Sequence, residues 1–323
     1  MTGSEFRRPG WARGARTIGA PLVLLVAATV LGSAAEKKGE PAGAASQPAT
    51  PEPFRVITYN IHAFDPVAPQ EQGKERIARI RTAGQLLPRY AMELSLHRPD
   101  VIALQEASPK AHVEALAREL KMHVAFFPGG WKNKGWPDGI AGAVLSRHRI
   151  IEAQDRPLLP AYEGKPGEAF SRHFGRVLLD VGARRIAVCT VHLLPSYPKT
   201  EPVRQAEIEA VSQAAQADRK RGHSVLVLGD MNHRPFAPEY RGWIDAGFAD
   251  CFAARGRGMP LTCAAQDLTE RIDYVFALGP IAGGLKECRV LHEGAFRCHA
   301  GDPTTWALSD HLPVLAEFDL SKR

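Results

Sequence analysis

Ser309-Asp310-His311-Leu312-Pro313-Val314 closes the folded part of the chain and sets a polar cluster against an apolar run. Four comparable clusters precede it: Thr58-Tyr59-Asn60-Ile61, Leu104-Gln105-Glu106, Thr190-Val191-His192-Leu193 and Gly229-Asp230-Met231-Asn232. A further run, Arg271-Ile272-Asp273-Tyr274-Val275-Phe276, lies between the fourth of these and the last. Each places a carboxylate, amide or imidazole where a buried strand should emerge into a loop. A core does not need that arrangement six times, because a buried polar group costs free energy unless it is paired. A site assembled at strand ends does need it.

Outward from these runs, strands and helices interleave. Residues 54–60 alternate like a strand. Residues 74–98 carry Ile77, Ile80, Leu86, Leu87, Met92 and Leu96 at helical spacing, with Pro88 predicting a break or kink inside. Residues 101–105 read as a short buried strand. Ser108-Pro109 then predicts a helix start, Ser as cap and Pro at the first position, running over 111–120. Residues 124–127 and 139–145 read as strands around a Gly-rich loop, and 177–181 with 186–193 as a hairpin turned by Gly182-Ala183-Arg184-Arg185. Residues 202–220 form an amphipathic helix in pattern, and 224–229, 272–277 and 314–318 are later strands. Hairpins interrupt the alternation. That predicts an α/β (α+β) sandwich of two packed mixed β-sheets with helices on the outer faces, not a doubly wound parallel sheet.

The chain has 323 residues and a net charge of +6. Residues 1–35 hold four arginines against Glu5, a local +3, which leaves +3 for the rest. That balance is too mild to argue for nucleic acid by itself. Four arginines, an apolar run from Ala20 to Leu31, then Gly32, Ser33, Ala34 and Ala35 read as a cleavable signal peptide over 1–35. The run falls short of the ~20 residues a spanning helix needs. An uncleaved membrane anchor over 20–35 is the alternative to an exported periplasmic or extracellular protein. Residues 36–53 read as a disordered linker and 54–320 as one catalytic domain. Five cysteines remain. Cys189 sits in a strand pattern and reads as a buried free thiol, while Cys251 with Cys263 and Cys288 with Cys298 are candidate pairs because each brackets a loop.

The strand-end residues divide by chemistry. Glu106, at the mouth of a buried strand, suits a hard divalent cation, with Asn60 supplying an amide oxygen and Asp310 a second carboxylate. Its bland alternative is help in capping the helix that follows. Asp230 and Asn232, spaced by two on an extended segment, would point the same way. One would orient or deprotonate water and the other would donate to developing negative charge; a simple turn is the competing reading. Gly229 before them permits close backbone approach. Asp273 and His311 suit a carboxylate–imidazole pair. His192, at another strand exit, suits contact with a phosphoryl oxygen or general-acid work.

Together these segments resemble the endonuclease/exonuclease/phosphatase superfamily, whose fold is that of deoxyribonuclease I. The six motifs stand in family order over nearly all of 54–320. The resemblance implies a four-layer α/β sandwich and Mg²⁺- or Mn²⁺-dependent hydrolysis of phosphoester bonds. It implies that Asn60 and Glu106 sit at the metal site with Asp310 near it. Asp230 resembles the family's water-activating aspartate and Asn232 its transition-state-binding asparagine. His192 is similar to its phosphate-contacting histidine, and Asp273 and His311 to its carboxylate–histidine pair. The expected partner is a phosphoester: nucleic acid, a phospholipid head group or a small phosphodiester. A monomer with no obligate protein partner is expected. Arg147, Arg149, Lys132 and Lys134 would supply a nuclease's basic track. Trp131 and Trp136 would serve a sphingomyelinase-like enzyme at a bilayer, an active-site rim, or simply partial burial. Ser146-Arg147 and Arg176 resemble family positions near phosphate, with surface ion pairs as the alternative. Arg271-Ile272-Asp273-Tyr274 departs from the Trp-Cys-Asp-Arg run of the inositol-polyphosphate phosphatases. A catalytically inactive binding module of the same fold is the alternative from another class.

Overall fold

The structure is a computed structural model that describes residues 52–134, 136–156, 158 and 170–322. The signal-peptide and linker readings fall on 1–51, outside the described residues apart from the linker's last two positions. The strands, in chain order, are β1 (Phe54–Asn60), β2 (Val101–Gln105), β3 (His123–Phe127), β4 (Gly142–Ser146), β5 (Arg149–Asp155), β6 (His173–Val181) and β7 (Arg184–His192). They continue with β8 (Ser224–Asp230), β9 (Ala249–Asp250), β10 (Gly256–Arg257), β11 (Asp273–Leu278), β12 (Leu285–Val290) and β13 (Val314–Phe318). One sheet has the order β10-β12-β13-β1-β2-β4-β3 and the other β5-β6-β7-β8-β11-β9. Both are mixed: β1 pairs β2 and β7 pairs β8 in parallel, while the neighbouring β13, β4, β6 and β11 run antiparallel.

Period-two alternation sorts each strand between two environments. Val56, Val101, Ala103, Val188, Leu226, Leu228 and Val275 meet between the sheets. Ile57, Tyr59, Ile102 and Leu104 turn outward against helices α1 (Glu71–Thr82), α2 (Leu86–Ser95) and α3 (Lys110–Glu119). On the other sheet, Cys189, Val191, Val225 and Val227 turn outward against α4 (Glu201–Lys220) and α5 (Pro238–Asp245). This is the four-layer sandwich the sequence predicts.

The inward phase has a second consequence. Continuing Val56 by twos reaches Thr58 and Asn60; Val101 leads to Ala103 and Gln105; Val188 to Thr190 and His192; Leu226 to Leu228 and Asp230; and Val275, read backward, to Asp273. Polar residues therefore replace apolar ones on the inner face at one end of both sheets. A polar seam starts one step deeper. Thr58 Oγ1 donates to Gln105 Oε1 (3.1 Å), and Gln105 Nε2 donates across the gap to Thr190 Oγ1 (3.4 Å). The buried ring of His173 lies with Nδ1 3.3 Å from the Ile140 carbonyl and Nε2 3.3 Å from Thr190 Oγ1. Burial pushes this imidazole down to about 3. It is therefore neutral, with its one proton directed to the Ile140 carbonyl, while the Thr190 hydroxyl donates to the Leu104 carbonyl (3.3 Å).

Several local expectations are corrected. The break in the first helical run falls at Ala83–Gln85, where Gly84 takes φ +67°, and Pro88 lies in the first turn of α2, where its missing N–H costs nothing. Ser108 does not cap α3. Pro109 is the cap residue, and the Lys110 N–H is satisfied by Asp138 from the 129–138 loop (2.8 Å). The β6–β7 hairpin turns on Gly182-Ala183 alone, since Val181 already faces Arg184. All five cysteines are free thiols. The expected Cys251–Cys263 and Cys288–Cys298 pairs do not form, and Cys189 is the buried thiol anticipated. Arg176 is neither at the surface nor beside a phosphate site. It is buried in β6, with Nε and Nη2 on the two oxygens of Asp218 in α4 (2.9 and 2.5 Å).

Candidate active site

The polar ends converge where the two sheets splay. Asn60 spans them: its Nδ2 lies 3.2 Å from Glu106 Oε1 on its own sheet side and 3.2 Å from Asp230 Oδ2 on the opposite sheet. Asp230 closes β8, faces His192 of β7 in register on one side and Asp273 of β11 on the other. His192 Nε2 lies 3.5 Å and His311 Nε2 3.8 Å from Asp230 Oδ2. His311 Nδ1 donates to Asp273 Oδ2 at 2.9 Å. The pairing of Asp273 with His311 is thus the one the sequence suggests.

The Ser309 hydroxyl explains why the last motif begins with serine. It donates to the Asn60 carbonyl (2.7 Å) and accepts from the His311 N–H (3.1 Å), which ties the end of β1 to the histidine loop. Asp310 is one-third exposed and lies 3.9 Å from His62 Nδ1. Asn232 is not on an extended segment. It takes φ +49°, and its N–H donates to Asp230 Oδ1 (3.0 Å) while its Nδ2 donates to the Leu193 carbonyl (2.9 Å). The turn and the site are the same structure. Gly229 is required because a Cβ there would lie 1.9 Å from the Val191 carbonyl oxygen of β7.

Electrostatics separate the roles. Burial raises Asp230, and the neighbouring Asp273 raises it further. Burial also raises Glu106, while His311 and Asn60 oppose that. Burial alone would depress His311, but the Asp273 charge and hydrogen bond outweigh it and hold the ring well above its ordinary value. His192 is driven the other way, by burial first and then by His173, Arg172 and His311, so it is neutral near pH 7.

The donor set fits a hard divalent cation. Among the described residues no Lys or Arg lies within 4.0 Å of Glu106, Asp230, Asp273 or Asp310, and Asp273 Oδ1 is buried without a hydrogen-bond partner. Four carboxylates, two of them buried, face one imidazolium, His311, which leaves the cluster net negative and costly, and oxygen ligands are what Mg²⁺ or Mn²⁺ takes. The tightest group of acidic and imidazole atoms is Asp230, Asp273 and His311, all within 4.8 Å of one another. The expected trio Asn60, Glu106 and Asp310 is looser. Asn60 contacts Glu106, and Asp310 is near enough to add to the upward push on Glu106. Glu106 does not cap α3.

Other expectations fail on placement. Arg147 follows the far end of β4, its N–H on the Asp100 carbonyl, and Arg149 pairs with Asp180, so neither extends a basic track from the site. Arg172, which precedes β6 beside His173, is instead the guanidinium whose charge reaches His192. Two supports were also unread in the sequence. Fully buried Arg204 of α4 donates to Glu239, to the Leu194 carbonyl and to the Asn232 carbonyl. Buried Glu207, one turn on, accepts the Leu194 N–H (2.8 Å). They clamp the loops after β7 and β8 from behind. Their signal was periodicity: Arg204, Glu207 and Asp218 share the buried stripe of α4 with Val211 and Ala214.

The fold has many solved counterparts. It is similar to a mannosyl-6-phosphatase from Bacteroides thetaiotaomicron VPI-5482 (18% identity, TM-score 0.61, 83% of this chain and 100% of that one). It is similar to an endonuclease/exonuclease/phosphatase family protein from Leptotrichia buccalis C-1013-b (16%, 0.59, 83% and 100%). It is also similar to an AP endonuclease from Archaeoglobus fulgidus (18%, 0.56, 83% and 100%). At such identities the likeness is one of fold. No curated protein sequence matches the chain. The model of the Endonuclease/Exonuclease/phosphatase family matches residues 57–311, a span that runs from β1 to the histidine of the last motif. With all six strand-end clusters gathered at one mouth inside that span, the chain belongs to the endonuclease/exonuclease/phosphatase family.

Proposed function

We propose that the chain is a divalent-metal-dependent phosphoesterase that hydrolyses a phosphodiester or phosphomonoester by attack of water on phosphorus. The observation that carries this reading is the carboxylate cluster of buried Asp230 and Asp273 with half-buried Glu106, which among the described residues has no Lys or Arg within 4.0 Å. A bound Mg²⁺ or Mn²⁺ would supply Lewis acidity and a lowered water pKa. Asn60, Glu106 and Asp310 would hold it, in contact with the tighter Asp230–Asp273–His311 group. The raised Asp230 is suited to take the proton from the attacking water. His311, kept protonated by Asp273, is better suited to donate to a phosphoryl oxygen than to act as base. Neutral His192 is suited to donate one hydrogen bond there, not to act as general acid.

Hydrolysis of plasmid DNA, RNA, sphingomyelin and bis-p-nitrophenyl phosphate, each with Mg²⁺ and with EDTA, tests the reading. EDTA-sensitive turnover is expected, and Asp230→Ala should abolish it while leaving the thermal transition in place. Near-normal activity in Asp230→Ala would contradict the assignment. Export stands as part of the proposal, and the mass of the mature N-terminus decides between cleavage after Ala35 and retention of 20–35 as an anchor.

A further inference from the structure

Immediately after Asn60 the chain takes an uncommon path. His62, Ala63 and Phe64 have φ of +48°, +50° and +59°, three consecutive left-handed residues of which none is glycine. Each such residue costs about 1–2 kcal/mol, so the surroundings must hold the turn in place. They do. The His62 N–H donates to Asn60 Oδ1 (3.1 Å), the Ala63 N–H to the Glu106 carbonyl (3.0 Å), and the Phe64 N–H to the Ile61 carbonyl (3.0 Å). The turn is therefore bonded to two residues of the candidate active site, and His62 approaches a third, Asp310.

The turn forms one wall of a cavity of about 750 Å³, within the ~300–1,000 Å³ range of pockets for small molecules. Its apolar lining is Phe64, Leu86, Leu87, Tyr90 and Trp136. Polar groups are few and stand at its edges: His62 on the side of Asp310, His112, and Asp65 with Arg81. Arg81 is already committed to Asp65 at 2.8 Å. A polyanion needs a row of available cations, and this cavity offers none. Apolar walls, three of them aromatic, with few polar groups suit an uncharged ring system.

We infer that this cavity binds the organic group esterified to the phosphate, and that this group is an uncharged, ring-bearing moiety about the size of a nucleoside. The inference rests on the phosphoesterase reading and narrows it: the substrate is a small phosphoester, not a polymer running along a basic track. The strained turn sets the cavity wall and the Asn60–Glu106 side of the site in one rigid relation.

The experiment separates binding from turnover. Adenosine and p-nitrophenol, which carry rings and no phosphate, are titrated into the full chain by saturation-transfer NMR. The wild type, Trp136→Ala and Leu86→Trp are compared. Removing the aromatic wall should weaken binding about threefold or more, and the filled pocket of Leu86→Trp should bind neither probe. The thermal transition of each variant is compared with that of the wild type, so that lost binding reports the cavity and not the fold. No ring binding to the wild type, or equal binding to all three proteins, overturns the inference. A wild type that binds the rings but hydrolyses no phosphoester with any divalent metal keeps the cavity assignment and removes the phosphoesterase reading instead.

Discussion

Glu207 offers the cleanest test of the electrostatic account, because it lies behind the site and touches no proposed metal ligand. It is fully buried in α4, with Oε2 on the Leu194 N–H and Oε1 without a partner. Burial pushes it from an ordinary 4.5 up to about 7, against smaller opposing effects from the Leu194 N–H, Arg204 and Arg172. A carboxyl raised in the folded state favours folding most when protonated. That contribution is complete below 4.5 and is lost as pH climbs through 7. The displacement corresponds to about 3 kcal/mol. Glu207→Gln is uncharged throughout and does not suffer the loss. Its amide NH₂ will lack an acceptor where Oε1 lacked a donor, a pH-independent cost of about 1–3 kcal/mol. The signal is therefore the slope, not the offset. Between pH ~5 and ~8 the stability of the variant relative to wild type should rise by about 2–3 kcal/mol. Urea unfolding with EDTA present, at several pH values, measures it. A difference that stays flat across that window, or one that falls, refutes the burial argument.

Other outcomes follow from the same geometry. Gly229→Ala should cost about 3 kcal/mol or more in urea unfolding, because the new methyl meets the Val191 carbonyl inside the β7–β8 ladder and neither backbone can yield. Asp273→Asn should bring the His311 ring down from its raised value, since the charge and hydrogen bond that oppose burial are lost; imidazole NMR shifts report this directly. The stability that pair supplies is present below pH ~6.5 and lost as pH rises through the raised value, so the gap between wild type and variant should narrow at high pH. Metal-free protein should lose stability as pH rises past the ordinary carboxylate range, since Glu106 and Asp230 are both raised. Mg²⁺ at about a hundred times its dissociation constant should return about 2.7 kcal/mol, read as a higher thermal midpoint than in EDTA.

The sandwich and the site's location were legible because one physical rule writes both. Alternation by two exposes which residues face inward, and the switch from Val188 and Leu228 to His192 and Asp230 marks where the inner face stops being core. What alternation does not encode is contact between distant segments. Asp138 caps α3 from 28 residues away, so the local Ser-Pro signal misplaced the cap. Arg204 carries no local mark of burial, since a helix charge is ordinarily solvated; only its place on the packed stripe of α4 reveals it. The strand β5 was unreadable because it is an edge strand with mostly exposed, charged positions and no apolar face to count. The cysteine pairs failed because bracketing a loop says nothing about whether two sulfurs meet.

The seam of Thr58, Gln105, Thr190 and His173 carries one last implication. Two greasy sheets stacked face to face are nearly indifferent to sliding by a fraction of a residue, since one aliphatic contact replaces another. A carboxamide reaching for one hydroxyl is not indifferent. The seam acts as a vernier: it fixes the offset of the two sheets just below the point where Asn60 touches both Glu106 and Asp230. Alignment of the candidate site's groups is thereby set by buried, uncharged residues that lie beneath them.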